Sequence, residues 1–279
     1  MTEIDVTSDA VSVTPPVVYE SPLLNPIGGG LYAASAGPLP MPEHWYGGIE
    51  VLPINCASGW GTWEVDPCLN NADPDARKDG DRADPLAPFL PLVVWGYDEC
   101  SLITQTEDMV LTRARQNQRL HEQQLVEQEF AGRLLADATD LGTVGDLVEA
   151  VSVLEAAFAA EGIAGVIHAG AQWAAPAVSE SVASGSPIWR SPLGAVWAFG
   201  GGYVDGLGDT LVATGPTTMW TSPMEEHATP DALANTMAAM VERSVLVAYE
   251  CFSVAVTITG GSTDDQVERL LARGRELTR

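Results

Sequence analysis

The stretch from Glu107 to Asp137 constrains the fold of this chain more than any other. It reads EDMVLTRARQNQRLHEQQLVEQEFAGRLLAD, contains no Pro and one Gly (Gly132), and is rich in Gln, Glu, Arg and Leu. These residues lose little side-chain freedom in a helix. Val126, Phe130 and Leu134 recur every four residues, as one helical face requires. Met109, Ala114 and Leu120 carry that face loosely through the first half. Thr104 or Thr106 can cap the start, and Glu107 and Asp108 fall on the positive end of the helix dipole. The spacing predicts one helix of roughly 45 Å, longer than a small domain is wide. It is too polar to be buried on all sides, so it must lie across another layer. The strand-like segments flanking it in sequence are the expected partners.

Composition narrows the function classes. The chain has 279 residues, 46% of them hydrophobic and 18% charged, enough for a sizeable core. The low charge fits either a subunit that hides surface against its own copies or an ordinary alanine-rich protein. Net charge is −25, from 38 acids against 13 bases, and this argues against phosphate-backbone recognition. Lys78 is the single lysine. Cys56, Cys68, Cys100 and Cys251 show no CxxC or CxxH spacing, so no zinc site is indicated. Buried free thiols are the default, although Cys56 and Cys68 could pair in an oxidising medium. The N-terminus (MTEIDVTSDAVSVTPP) lacks the features of a signal peptide, and no run of about 18 apolar residues exists. Synthesis and assembly in the cytoplasm are expected.

Taken in order, residues 1–42 read as an extended arm, because Pro15, Pro16, Pro22, Pro26, Pro38, Pro40 and Pro42 forbid regular helix. Its Leu23, Leu24, Leu31 and Tyr32 need a surface to lie on. Residues 43–98 have hairpin character: Gly48–Asn55 and Trp60–Asp66 read as strands, and a loop dense in Asp and Pro follows. Leu92–Tyr97 is a buried strand leading into the long helix. Thr143 is placed to cap a helix over Val144–Glu161 that Gly162 stops, with Leu147, Val151, Leu154 and Phe158 as its stripe. Strands are expected at Gly165–Ala169, Ala195–Phe199, Thr210–Thr214 and Thr217–Thr221, with a hairpin turn over 200–208. The β-branched content of Met240–Ile258 argues for a long strand or a strand pair, and its apolar parity switches near Glu250. A bulge or tight turn belongs there. Asp264–Arg279 is a short helix candidate.

No catalytic, metal or cofactor signature emerges. His44, His121, His168 and His227 are isolated in sequence, and HExxH, GxSxG and Walker patterns are absent. His168, on a buried strand, reads as a satisfied core histidine. Asp75, Asp79, Gly80 and Asp81 partly mimic a calcium loop, but its third ligand position would be Arg77 and its twelfth Leu86. A solvated loop fits better. The eight tryptophans are explained more simply by interface anchoring than by a ligand pocket.

The order of arm, long loop, long helix, α/β lobe and returning strands resembles the Hong Kong 97-type major capsid proteins of tailed bacteriophages. VERSVLVAYECFSVAV looks like the last stretch of such proteins, where an Arg precedes a valine-rich strand and a final buried one. Residues 89–137, with FLPLVVWGYDECSL before the helix, are similar to head proteins of actinobacterial phages. The resemblance implies an α+β fold with an N-terminal arm (1–42), extended loop (43–91), peripheral strand and spine helix (92–143), axial α/β lobe (144–239), returning peripheral strands (240–262) and C-terminal tail (263–279). It implies a structural, non-enzymatic subunit of the virion. Pentamers and hexamers would close into an icosahedral shell around double-stranded DNA that is enclosed without specific recognition.

Scaffold, portal and decoration proteins would be separate partners; no cofactor and no membrane are implied. Tyr19, Trp45, Trp60, Trp63, Lys78 and Arg82 are the candidate inter-subunit contacts. The family prototype links a loop Lys to a neighbour's Asn. Here the corresponding pair would be Lys78 and Asn235, with Glu225 and Glu226 near the latter in sequence. That chemistry needs an apolar pocket around the amine, whereas Lys78 sits between Arg77 and Asp79 in an Asp-rich loop, so no isopeptide bond is expected. The rival readings are another virion component, such as a decoration, neck or tail protein, and a cytoplasmic α/β enzyme or binding protein.

Overall fold

The computed structural model describes residues 19, 21–56, 59–62, 78–101, 103 and 105–259. In chain order the elements are α1 (Gly30–Ala34), β1 (Ala36–Pro40), β2 (Leu92–Ser101), α2 (Glu107–Asp137), β3 (Thr139–Val144), α3 (Leu147–Glu161) and β4 (Val166–Gly170). Next come α4 (Ala174–Ser179), β5 (Ser184–Gly185), β6 (Trp189–Arg190), β7 (Val196–Gly200), α5 (Tyr203–Gly206) and β8 (Thr210–Thr214). The chain ends its described part with β9 (Thr218–Thr221), β10 (Glu225–Asp231), β11 (Thr236–Ala248) and β12 (Ser253–Ile258).

The long helix is continuous over 31 residues, and the Thr106 hydroxyl accepts a hydrogen bond from the Met109 amide at its start. Its buried positions are Val110, Ala114, Gln118, Glu122, Val126, Glu127, Phe130, Ala131 and Leu134. The second half therefore follows the expected face. The first half does not run through Met109 and Leu120; its stripe continues through Gln118 and Glu122. Each four-residue step turns the stripe by about 40°. The start of the helix consequently packs Val110 and Ala114 on Met237, Ala239 and Val241 of β11. Its end joins a core that includes Val245 and Val247 of the same strand as well as Val166 and Val212 of the second sheet.

The first sheet is built on β11. One edge of β11 pairs antiparallel with β2 over Thr236–Val245, and the other pairs with β10 and then with β9. β1 adds in parallel to β9. The second sheet runs β3-β12-β8-β4-β7-β6-β5, and α3 covers it with Leu147, Val151, Leu154 and Phe158. Among the described residues no helix is long and apolar enough to cross a membrane.

Several expectations are corrected. Met240–Ile258 does break near Glu250, but its halves enter different sheets: Ser253–Ile258 pairs with β3 and β8, not with the first sheet. The third helix starts at Leu147, capped by Asp146, whose carboxylate accepts from the Glu149 amide at 2.8 Å. Residues 139–144 are instead a parallel edge strand. Gly162 ends this helix at φ 69, the left-handed conformation glycine adopts without strain. The glycine-rich segment after β7 is no hairpin turn, because β4 lies between β7 and β8 and the connection must cross it through α5. The arm is not wholly extended. α1 buries Leu31 completely, and β1 joins the first sheet. No strand forms in the described parts of Gly48–Asn55 and Trp60–Asp66 beyond one bridge between Ile49 and Phe89. Asp264–Arg279 lies outside the described residues.

Candidate assembly surface

Two buried carboxylates on the spine helix organise the centre of the molecule. Glu122 accepts two hydrogen bonds from the Arg243 guanidinium, one of them from Nε at 2.6 Å. It also accepts from the Tyr32 hydroxyl at 2.7 Å and from the Gln118 amide. Burial and the adjacent Glu122 charge push the Tyr32 phenol far up, so it stays a donor. One turn on, Glu127 accepts from the Leu31 amide at 3.0 Å, the Gly202 amide at 3.0 Å and the Gln123 side chain at 2.8 Å. Burial raises the Glu127 pKa even against these donors. The arm, the spine helix, the first sheet and the 200–202 loop are thus tied to each other by charge-assisted bonds.

The extended loop is fastened at both roots. On the second leg, Ile49 and Phe89 exchange backbone hydrogen bonds of 2.9 Å. The Arg133 guanidinium lies 4.1 Å from the centre of the Phe89 ring and donates to the Ala87 and Pro88 carbonyls at 2.7 and 3.1 Å. Phe89 also meets Tyr249 edge-on, ring centres 5.0 Å apart, and the Tyr249 hydroxyl donates to Asp137 at 2.9 Å. On the first leg, Glu250 accepts from the amides of Ile54 and Asn55 and from the Asn55 side chain, the last two at 2.8 and 2.6 Å. Cys56 is disulfide-bonded to Cys251, so the suggested pairing of Cys56 with Cys68 is replaced. Further out, a Cβ on Gly59 would fall 2.5 Å from the Asp79 carbonyl oxygen, so the two legs run side by side without a ladder.

Around the first root and beyond it the loop presents apolar side chains to solvent: Leu52, Ile54 and Trp60 are 69%, 84% and 81% exposed. The outer face of β2 shows the same character, with Val93, Trp95 and Tyr97 exposed. Together with His121, Leu125 and Gln128 of α2, these residues line a groove of about 770 Å³. Large exposed apolar surfaces of this kind mark interaction sites. Of the sequence-derived contact residues, Trp60, Tyr19, Lys78 and Arg82 are exposed and Trp45 is half-buried against Tyr46, ring centres 5.4 Å apart. Trp63 lies outside the described residues. The structure spreads the others over arm and loop and does not gather them into one site.

His168 is the core histidine the sequence implied. Its ring nitrogens lie 3.1 Å from the Tyr203 hydroxyl and 3.0 Å from that of Thr214, and burial lowers its pKa to about 3. Its ring is fully buried. Sequence reasoning missed Glu122, Glu127, Arg133, Tyr249 and Glu250. The available signal was that Gln118 and Glu122 continue the four-residue spacing of the buried stripe.

No family model matches the chain, and no curated protein matches it in sequence. Solved structures do match. The capsid of an empty GTA particle superposes with a TM-score of 0.51 at 11% identity, covering 92% of this chain and 99% of that one. A structure from Mycobacterium phage Che8 gives 0.47 at 13% identity, covering 88% and 97% of the two chains. One from Mycobacterium phage Bobi gives 0.46 at 11%, covering 92% and 100%. The fold is the α+β fold of the Hong Kong 97-type capsid proteins.

Proposed function

We propose that this chain is the structural shell subunit of a phage head, assembling through its loop and arm into pentamers and hexamers that enclose double-stranded DNA. The observation that carries the reading is a loop anchored at both roots whose apolar side chains Leu52, Ile54 and Trp60 stand exposed. Such side chains are stable in water only at low cost if a neighbour covers them. The groove along β2 and α2 offers apolar area of the matching kind on each copy. Tyr19, Trp45, Trp63, Lys78 and Arg82 act in the same contacts, through packing and rim charges and not through chemistry. The net charge of −25 fits an inner wall that does not bind the enclosed DNA. Portal, scaffold and decoration proteins are separate partners. Lys78 and Asn235 form no isopeptide bond, so boiled particles run as monomers on a denaturing gel.

Negative-stain micrographs of the purified protein test the proposal. Closed shells are the expected result. Rings or tubes would select a neck or tail component, and a monodisperse small oligomer would overturn the assembly reading.

A further inference from the structure

Cys56 and Cys251 are 195 positions apart in sequence and have their Cα atoms 6.2 Å apart, with the sulfurs joined. Cys56 lies on the first leg of the extended loop. Cys251 lies in the turn between β11 and β12, where the chain passes from one sheet to the other. The neighbouring Glu250 grips Ile54 and Asn55 through three donors. This clamp needs no disulfide, so it holds the two thiols opposite each other before they react. A cavity of about 530 Å³, lined by both cysteines with Thr139, Pro216 and Phe252, gives small molecules access to the sulfurs.

Cys56, Cys251 and Glu250 also stand close enough to suggest a metal site. The donors already present argue otherwise: both Glu250 oxygens accept hydrogen bonds from the loop, and these three residues supply no fourth ligand. A zinc ion would need free thiolates and a fourth ligand.

We propose that Cys56 and Cys251 form an oxidation-driven latch, which locks the clamped loop root onto the joint between the two sheets after the protein leaves a reducing cell interior. Thiols stay reduced in the cytosol and oxidise outside it. In the closing step two thiols and one dioxygen give one disulfide and one hydrogen peroxide. The two S–H bonds break, one S–S bond forms, and two electrons and two protons pass to oxygen. The timing rests on the capsid reading; the pairing rests on the chain alone.

Thiol trapping tests it. Cells making the protein are lysed in N-ethylmaleimide, and a second sample is held in air before labelling. Intact mass and peptide mapping then report which cysteines carry the label. The expected result is both Cys56 and Cys251 labelled at lysis, and a linked Cys56–Cys251 peptide after air. The air-treated sample should unfold at a midpoint about 5–15 °C higher, a gain that dithiothreitol reverses. Cys56→Ser and Cys251→Ser should remove the gain. Reduction of the wild type serves as the second arm if either variant fails to fold. A Cys56–Cys68 link, zinc copurifying with the reduced protein, a bond already complete at lysis, or a midpoint unmoved by reductant would each overturn the latch. The same labelling can be read on unassembled protein, so a lack of shells would sink the capsid reading and leave this test intact.

Discussion

Arg243 on β11 meets Glu122 on the spine helix through two hydrogen bonds, with the carboxylate almost fully buried and the guanidinium about a quarter exposed. This pair adds a charged tie to the apolar packing of the helix on the central strand of the first sheet. Arg243 is also held in its charged form, chiefly by its hydrogen bond to Glu122.

Arg243→Met should therefore be more damaging than the loss of an ordinary surface cation. It leaves a buried carboxylate with only Tyr32 and Gln118 as donors. A cost of about 3–5 kcal/mol is expected, as for other broken buried pairs. Adding Glu122→Gln removes the stranded charge and keeps an acceptor for Tyr32, so part of the loss should return. Denaturant unfolding of the two variants checks this. A double variant no better than the single one would show that charge is not the cause.

How much of this could be read from the sequence depended on how local each signal is. The spine helix and its cap follow from residue types and spacing within one segment, and the break at Glu250 follows from a switch of parity. β10 was missed because EEHATPD has no apolar alternation; it is a strand because β11 pairs with it along its whole length. Glu122 was passed over because its partner Arg243 is 121 residues away. The Cys56–Cys251 bond and the Glu250 clamp span still greater distances, and nothing in either segment announces the other. The glycine-rich segment 200–202 read as a turn because the strand between β7 and β8 is contributed from earlier in the chain. Trp60 is exposed, but the strand on which the sequence placed it does not form among the described residues, because no partner strand lies beside it.

The pH dependence of stability should carry a signature of His168. Its folded pKa, about 3, lies below the ordinary 6.5 because burial disfavours the imidazolium. The group therefore contributes stability that is present above pH 6.5 and lost as pH falls toward 3. The loss is on the order of 4 kcal/mol across that window. His168→Gln keeps a polar side chain between Tyr203 and Thr214 and removes the titration. Chemical denaturation between pH 7 and 4 should show a flatter slope in the variant; parallel slopes would exclude His168 as the source.

Gly96 and Gly132 should respond to alanine in opposite directions. Gly96 is in β2 where the strand crosses the helix, and an added Cβ would lie 2.4 Å from both the Ala114 carbonyl oxygen and the Gln118 nitrogen. These are backbone atoms, so the helix itself must move. Gly96→Ala should cost about 1–3 kcal/mol, the usual range for overpacking. Gly132 is on the exposed side of the helix, with nothing within 4 Å of an added Cβ. Gly132→Ala should stabilise by about 0.5–1 kcal/mol. Thermal unfolding of both variants reads the two signs.

Trp60 separates folding from assembly. Its side chain is 81% exposed, beyond the fastened loop roots, and contributes little to the stability of one subunit. Trp60→Ser should leave subunit unfolding within about 0.5 kcal/mol of wild type. Covered by a neighbouring copy, the same indole would act as an interface anchor worth about 2 kcal/mol or more per contact. The variant should then need roughly 30-fold more protein to assemble, since each 1.4 kcal/mol is a factor of ten. Light scattering against protein concentration measures this directly. Unchanged assembly would remove Trp60 from the interface, and a destabilised subunit with normal assembly would place it in the packing of its own chain.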